Sequence, residues 1–471
     1  MLVHLAACFS LWFSPSFLES CSAQAGGYQS FSVFGWVRGE ARSANQRFLA
    51  GDKDWLENET VDFTSNSNLG VSSVSGKEIG WCLAQQPNGA WTWNLGDGTH
   101  RLDYLPTAER QPIADGEWHL IGFTLDIETR TAHLYHDGRN VAIYSTHGLG
   151  PWKHPSIPRF PKLEGLDTEW RVSSRAYTAD AVRDLWLERM AIPVPSGLAK
   201  EPVSELKVLA WNIWHGGRRD GELEGLQKTV EVIQRSGADV VAMQETYGSG
   251  ARIADALGWY FHLRSSNISV MSRYPIRTTF DLYQPFRLGG VQLELSPGQF
   301  VRVFSLWIHY LPDYGKQMRE GKPTEAGLVE ADNETRGSEI EDILEALEAH
   351  VRGADAIPLI VAGDFNSPSH LDWVEATRER HSDLVVPWPV SSRMASSGFA
   401  DAYRVVHPDP LEKVGRTWSP RFVESWQDRI DYVYFRGAKL EALGARMLDQ
   451  HENGWPSDHA AVLATFAYRL P

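Results

Sequence analysis

The sequence predicts two β-rich folds in series: an all-β domain over residues 28–192, then an α/β (α+β) domain over 203–471 in which two packed sheets are flanked by helices. Three observations predict this. Residues 28–192 break into short segments of alternating apolar and polar side chains, separated by Gly, Asn and Asp turns. Residues 193–202, from Pro193-Val194-Pro195 to Pro202, are rich in Pro and small side chains and read as a linker. Beyond it, continuous apolar runs alternate with stretches whose apolar residues recur at helical spacing.

Residues 1–25 read as an export signal. Leu2–Phe17 is mostly apolar and too short to span a bilayer comfortably, and Ala23-Gln24-Ala25 fits the small-x-small pattern before a cleavage point. Leu18-Glu19-Ser20-Cys21 also resembles a lipoprotein box, which would anchor the chain through Cys21. The expected location is secreted or periplasmic, with no transmembrane run after the leader. Removing the leader leaves Cys82 alone of three cysteines, so it reads as a buried thiol and disulfides play no part. Triplets at Asn58, Asn267 and Asn333 are glycosylation acceptors only in a eukaryotic secretory route.

In the first domain, Phe31–Val37 alternates as a strand. Gly116–Asp126 and Ala132–His136 read as two more strands, closed by the Asp137-Gly138 turn. Thr178–Leu185 reads as a short helix near the end. The Trp118-His119 strand followed by Leu134-Tyr135-His136-Asp137-Gly138 resembles laminin-G-like, concanavalin-type domains. That resemblance implies a jelly-roll sandwich, with a glycan or surface ligand or a purely structural role. Asp52 and Asp54 have oxygens suited to Ca²⁺, although solvated turn carboxylates explain them equally.

In the second domain, Leu206–Ile213, Asp239–Met243, Ile268–Met271, Val301–Ile308, Leu359–Ala362, Ile430–Phe435 and Ala460–Phe466 read as buried strands. Leu226, Val230 and Ile233 share one helical face, as do Ile340, Ile343, Leu344, Leu347 and Val351. Most of these strands end in polar residues that a bare core does not want: Asn212, Gln244-Glu245, His309, Asp364-Phe365-Asn366, Asp431 and Asp458-His459. Asn212, Glu245, Asp364, Asn366 and Asp458 are the oxygen donors a hard divalent cation takes, and His309 and His459 can donate to a phosphate or move protons. Each alone has an ordinary explanation; six in order, each at a strand end, point to one site.

The set Trp211-Asn212-Ile213, Gln244-Glu245, Gly363-Asp364-Phe365-Asn366 and Ser457-Asp458-His459 resembles the endonuclease/exonuclease/phosphatase superfamily over about residues 203–471. The resemblance implies a four-layer α/β sandwich with its site at one edge of the two sheets. It implies Glu245 as principal metal carboxylate with Asn212 beside it and Asp458 supporting the metal edge. It implies Asp364 as the group that orients or deprotonates water, and Asn366 as a phosphate contact. His459 would stabilise the phosphorane-like state, Asp431 would hold that imidazole, and His309 would bind phosphate. The implied cofactor is a divalent metal, Mg²⁺ first, with Mn²⁺ and Ca²⁺ as alternatives. Some relatives carry an Asp two residues after the Asn; Trp214 stands there, which implies one-metal coordination.

These readings converge on an exported, metal-dependent phosphoesterase, more a diesterase than a monoesterase, with nuclease, lipid-headgroup phosphodiesterase and phosphatase all open. The alternative is a surface or glycan binder whose second domain is an inactive scaffold; the full set of catalytic residue types argues against it. The resemblance implies Tyr310 as a substrate contact, because some relatives use a Tyr in this region, and Arg336 and Arg429 are candidates to grip substrate from their nearness in sequence to catalytic positions. The long segment Leu311–Thr335 reads as a lid or a variable loop, and Trp388 and Trp418 as candidate cleft walls. His215 reads as either substrate-facing or structural. Net charge is -15 and acid is spread over both domains, so no basic stripe marks a long polyanion track. That does not exclude a nuclease, because bound cations invert the local field. The sequence leaves the oligomeric state open. On this reading, deleting 28–192 leaves hydrolysis of soluble substrates intact.

Overall fold

The computed structural model describes residues 30–40, 47–52, 61–62, 72–74, 79–150 and 158–469. The leader with Cys21, and Asp54 and Asn58, lie outside the described residues. Among the described residues no helix is long and apolar enough to cross a membrane.

The N-terminal region is a sandwich of two antiparallel layers. One runs, in spatial order, Leu166–Ser173, Phe31–Gly39, His119–Asp126, Thr131–His136 and Arg139–Ser145. The other holds six strands, with Arg47–Gly51, Ile79–Gln85, Trp91–Asp97 and His100–Tyr104 adjacent in that order. Alternation places Val33, Trp81, Trp93, Phe123 and Leu134 between the layers, all fully buried. Cys82 is buried, as expected. Asp137 and Gly138, at φ 50° and 76°, make the tight turn joining Thr131–His136 to Arg139–Ser145. Thr178 caps the helix Ala179–Met190 through its side chain, and that helix packs Val182, Leu185 and Trp186 on the outer face of the first layer. Asp52 is buried, and its Oδ1 accepts the Trp81 N–H at 2.7 Å.

The C-terminal region has the two packed sheets that its alternating runs predict. One sheet contains Tyr260–Leu263, Ser269–Ser272, Val240–Gln244, Glu205–Asn212, Ala461–Tyr468 and Leu440–Leu448 in spatial order. The other contains Ile276–Phe280, Leu288–Ser296, Gln299–Trp307, Leu359–Asp364, Asp431–Arg436 and Ala400–Asp401. Val208, Ala210, Val240, Val291, Val303, Ile360, Val433 and Val462 meet between them. Glu222–Ser236 covers the first sheet with Val232 and Ile233, and Ser338–Ala346 covers the second with Ile340 and Ile343. The result is four layers, helix–sheet–sheet–helix.

Residues 193–202 are not a free tether. Arg139–Ser145 pairs in parallel with Tyr260–Leu263, Ala142 opposite Phe261 and Ile143 opposite His262, so one eleven-stranded sheet runs through both regions. Polar contacts reinforce the seam. Asp255 accepts from Gln111 Nε2 at 2.7 Å and from Thr107 N and Oγ1 at 2.7 and 2.6 Å, and Arg139 donates to Gly258 O at 2.7 Å. The connecting segment is itself docked, with Ala199 N–H on Leu295 O at 2.8 Å. Removing residues 28–192 would therefore strip a paired strand and expose the seam.

Candidate active site

Parallel pairing brings the C-terminal ends of Glu205–Asn212 and Val240–Gln244 to one level, and pairs the ends of Gln299–Trp307 and Leu359–Asp364 in the other sheet. Asp431 lies directly opposite Asp364 in the adjacent antiparallel strand. Gly363 permits this: its φ is 151°, and a Cβ there would lie 2.0 Å from Leu306 O. Non-glycine residues with positive φ cluster at the same edge, namely Trp214, His215, Glu245, Tyr247 and Asn366. Such strain persists only where surrounding contacts impose it.

At the centre, His459 Nδ1 lies 2.9 Å from Asp431 Oδ2, and its Nε2 lies 3.7 Å from Asp364 Oδ2. All three are buried, and one ligand atom from each falls within 4.8 Å of the others. Burial alone would depress the His459 pKa, but Asp431 and Asp364 outweigh it and hold the imidazole well above its usual range. Burial pushes Asp364 above the usual carboxylate range, against the pull of His459. The dyad is clamped from outside. Ser457 Oγ donates to Asn212 O at 2.6 Å and accepts the His459 N–H at 3.1 Å. Thr417 Oγ1 accepts the N–H groups of Ile430 and Asp431 at 2.9 and 3.1 Å. The Trp418 ring stands 4.9 Å from the imidazole.

Asn212 ties the rest together. Its Nδ2 donates to Asp364 Oδ2 at 3.1 Å and to Glu245 Oε1 at 3.3 Å, while its Oδ1 accepts the Trp214 N–H at 3.0 Å. The amide therefore bridges two carboxylates, rather than turning its oxygen into the pocket as a metal ligand would. Glu245 is fixed by the His215 N–H, 2.8 Å from its Oε2. Asn267 Oδ1 holds the Glu245 backbone N–H at 2.8 Å. Asn267 is fully buried in this role, which removes it as a glycosylation acceptor in the folded chain. Burial, opposed by His459 and assisted by Glu245, raises Asp458 to about 6.

The pocket passes the test for a divalent cation. Asp364, Asp431 and Asp458 act on a single imidazole, Glu245 is joined to Asp364 through Asn212, and the buried Oδ1 atoms of Asp431 and Asp458 have no hydrogen-bond partner among the described residues. Excess buried carboxylate with unused oxygens is the donor chemistry of Mg²⁺ or Mn²⁺.

His309 follows the Gln299–Trp307 strand. His309 Nδ1 lies 3.0 Å from the Leu311 N–H and 3.3 Å from Leu311 O, which ties the ring to its own segment. Asn366 donates from Nδ2 to Ile308 O at 2.9 Å, so this turn and the His309 segment are locked together. Tyr310 stacks on His309 and is 52% exposed, free to meet a ligand.

Two substrate-gripping expectations are corrected. Arg429 is 2% exposed and donates to both carboxylate oxygens of Asp372, at 2.9 and 3.0 Å, and also to Asp401. Arg336 is 1% exposed, paired with Asp332, and donates to the carbonyls of Tyr310 and Pro312, each at 3.1 Å. Both guanidiniums are spent inside the fold. The supposed loop 311–335 contains the helices Tyr314–Glu320 and Glu325–Asp332. Trp388 packs fully buried with Tyr314 and Trp373, so it walls no cleft. Sequence reasoning missed Thr417 as a clamp on the Asp431 backbone and Asn267 as the anchor of Glu245. Neither stands at the end of an apolar run, so no local signal marks them.

Residues 209–459 match the model of the Endonuclease/Exonuclease/phosphatase family. The "Uncharacterized protein F14F9.5" of Caenorhabditis elegans is 29% identical over 291 residues, covering 56% of this chain and 91% of that protein. Among solved structures, TDP2 from C. elegans is 16% identical with a TM-score of 0.41, covering 56% of this chain and 75% of that one. The human nocturnin catalytic domain with bound sulfate anion is 16% identical with a TM-score of 0.40, covering 57% and 96%. The family match does not extend into residues 28–192.

Proposed function

Because the chain belongs to the endonuclease/exonuclease/phosphatase family, we propose that it is a metal-dependent phosphoesterase, acting on phosphodiesters in preference to monoesters. The observation that carries this is the convergence of Asp364, Asp431 and His459 in one buried cluster, bridged to Glu245 by Asn212. Glu245 and Asp458, with Asn212 after rotation of its amide, would hold the cation. Bound there, a divalent cation supplies charge neutralisation at a phosphoryl oxygen and at the leaving group.

The chain's own groups do the rest. Asp364 orients an attacking water and accepts its proton. His459, its Nδ1–H directed to Asp431, presents Nε2–H to the charge that builds on phosphorus-bound oxygens. His309 and Asn366 bind a non-bridging oxygen. Export, with the mature chain secreted, periplasmic or anchored at Cys21, remains part of this reading on the strength of the leader. The N-terminal sandwich is assigned a structural role, with a glycan or surface ligand as its second reading.

A panel of DNA, RNA, sphingomyelin, inositol phosphates and bis(4-nitrophenyl) phosphate, assayed with Mg²⁺ or Mn²⁺, tests the proposal. At least one diester should turn over, and Asp364→Asn should lower that rate by about 10²–10⁴-fold with the circular dichroism spectrum unchanged. Equal turnover by the variant would remove the mechanism.

A further inference from the structure

Trp214 and His215 form the lip of the acid pocket, through their N–H contacts to Asn212 and Glu245. The half-buried Trp214 ring carries two guanidinium groups, Arg219 at 4.9 Å and Arg421 at 5.1 Å from its centre. Phe422 meets the same ring edge-on at 5.6 Å. Phe422 also packs 5.9 Å from Trp418, whose ring stands 4.9 Å from His459. An unbroken arc of contacts thus leads from the central imidazole to these two arginines.

The two cations differ. Arg421 donates to Asp220 Oδ1 at 2.8 Å and to Trp455 O at 3.3 Å, so its charge is matched within the fold. Arg219 is exposed, and among the described residues it forms no ion pair and no hydrogen bond. In a chain of net charge -15, beside a pocket of four carboxylates, this arginine keeps its whole donor fork for something outside the chain. Resting on an indole face, it has less side-chain freedom to lose when an anion arrives.

Resting on the hydrolase reading above, we propose that Arg219 binds a second anionic group of the substrate, beside the scissile phosphate. The site therefore selects phosphodiesters that carry more than one negative charge. Arg219 is a specificity determinant, and the chemistry stays with Asp364 and His459.

The test compares 4-nitrophenyl phenyl phosphate with its analogue bearing a phosphonate on the phenyl ring, at low ionic strength with Mg²⁺ or Mn²⁺. The wild-type protein should show a KM about tenfold lower for the phosphonate substrate, a gap that shrinks as salt is added. Arg219→Gln should raise that KM about tenfold with little change in kcat, and Arg219→Lys should retain part of the preference. Equal KM values for both substrates in the wild type would overturn the proposal, as would an equal fall of kcat on both in Arg219→Gln. In either case the hydrolase reading would stand. No metal-dependent hydrolysis of either substrate would sink that reading, and this proposal with it.

Discussion

Arg429 and Asp431 are two residues apart, yet one is structural and the other faces the imidazole. The difference lies in partners that are distant in sequence. Asp372 binds both Arg429 and Arg404, and Asp401 takes the remaining arm of Arg429, all nearly out of water. Removing one member leaves a buried charge unmatched. Asp372→Ala should therefore lower stability by roughly 3–5 kcal/mol, measured by denaturant unfolding; a loss below about 1 kcal/mol would mean that water screens the cluster. Asn212, Glu245 and Asp364 were legible because each closes an apolar strand run, and His459 because it stands just before one. Arg336 and Arg429 were not, because sequence nearness to a catalytic position carries no information about burial. Asp332, Asp372 and Asp401 offered no hint of which cations they would hold.

At the scale of elements, strands with continuous apolar runs were legible to within a residue or two: Leu359–Ala362 became Leu359–Asp364, and Val301–Ile308 became Gln299–Trp307. Tyr260–Leu263 was not, because four residues give no usable period and His262 interrupts the apolar run. That short strand joins the two regions. Phe261 and Tyr144 pack across the seam at 6.1 Å, and Phe261 is 1% exposed. A fragment of residues 203–471 would present an unpaired strand edge and bare aromatic surface. It should aggregate, or melt well below the full chain, in a light-scattering and calorimetric comparison. A monomeric fragment with the melting temperature of the full chain would refute the shared sheet. Phe261→Asp in the full chain should lower stability by about 3–5 kcal/mol or more.

At the scale of the whole molecule, the seam also makes stability depend on pH. His262 donates from Nδ1 to Ile143 O at 3.1 Å, and burial pushes its pKa down to about 3. The unfolded chain takes up this proton near the ordinary value of 6.5, so the neutral buried ring contributes stability that is full above that pH. The contribution is lost as pH falls from 6.5 toward 3, at no more than about 1.4 kcal/mol per unit. His262→Gln removes the titration. The melting-temperature difference between wild type and variant should shrink from pH 7 to pH 4; parallel curves would contradict the buried neutral ring.

On the proposed function, acids brought from separate strands hold one divalent cation on which hydrolysis depends. The most direct measurement is a metal titration of diester hydrolysis after complete stripping with EDTA, on the wild type and on Glu245→Gln. Turnover should be absent without metal, the wild type should recover on adding Mg²⁺ or Mn²⁺, and the variant should need at least about tenfold more metal. Undiminished hydrolysis by the stripped protein, or identical metal curves for the two, would contradict it.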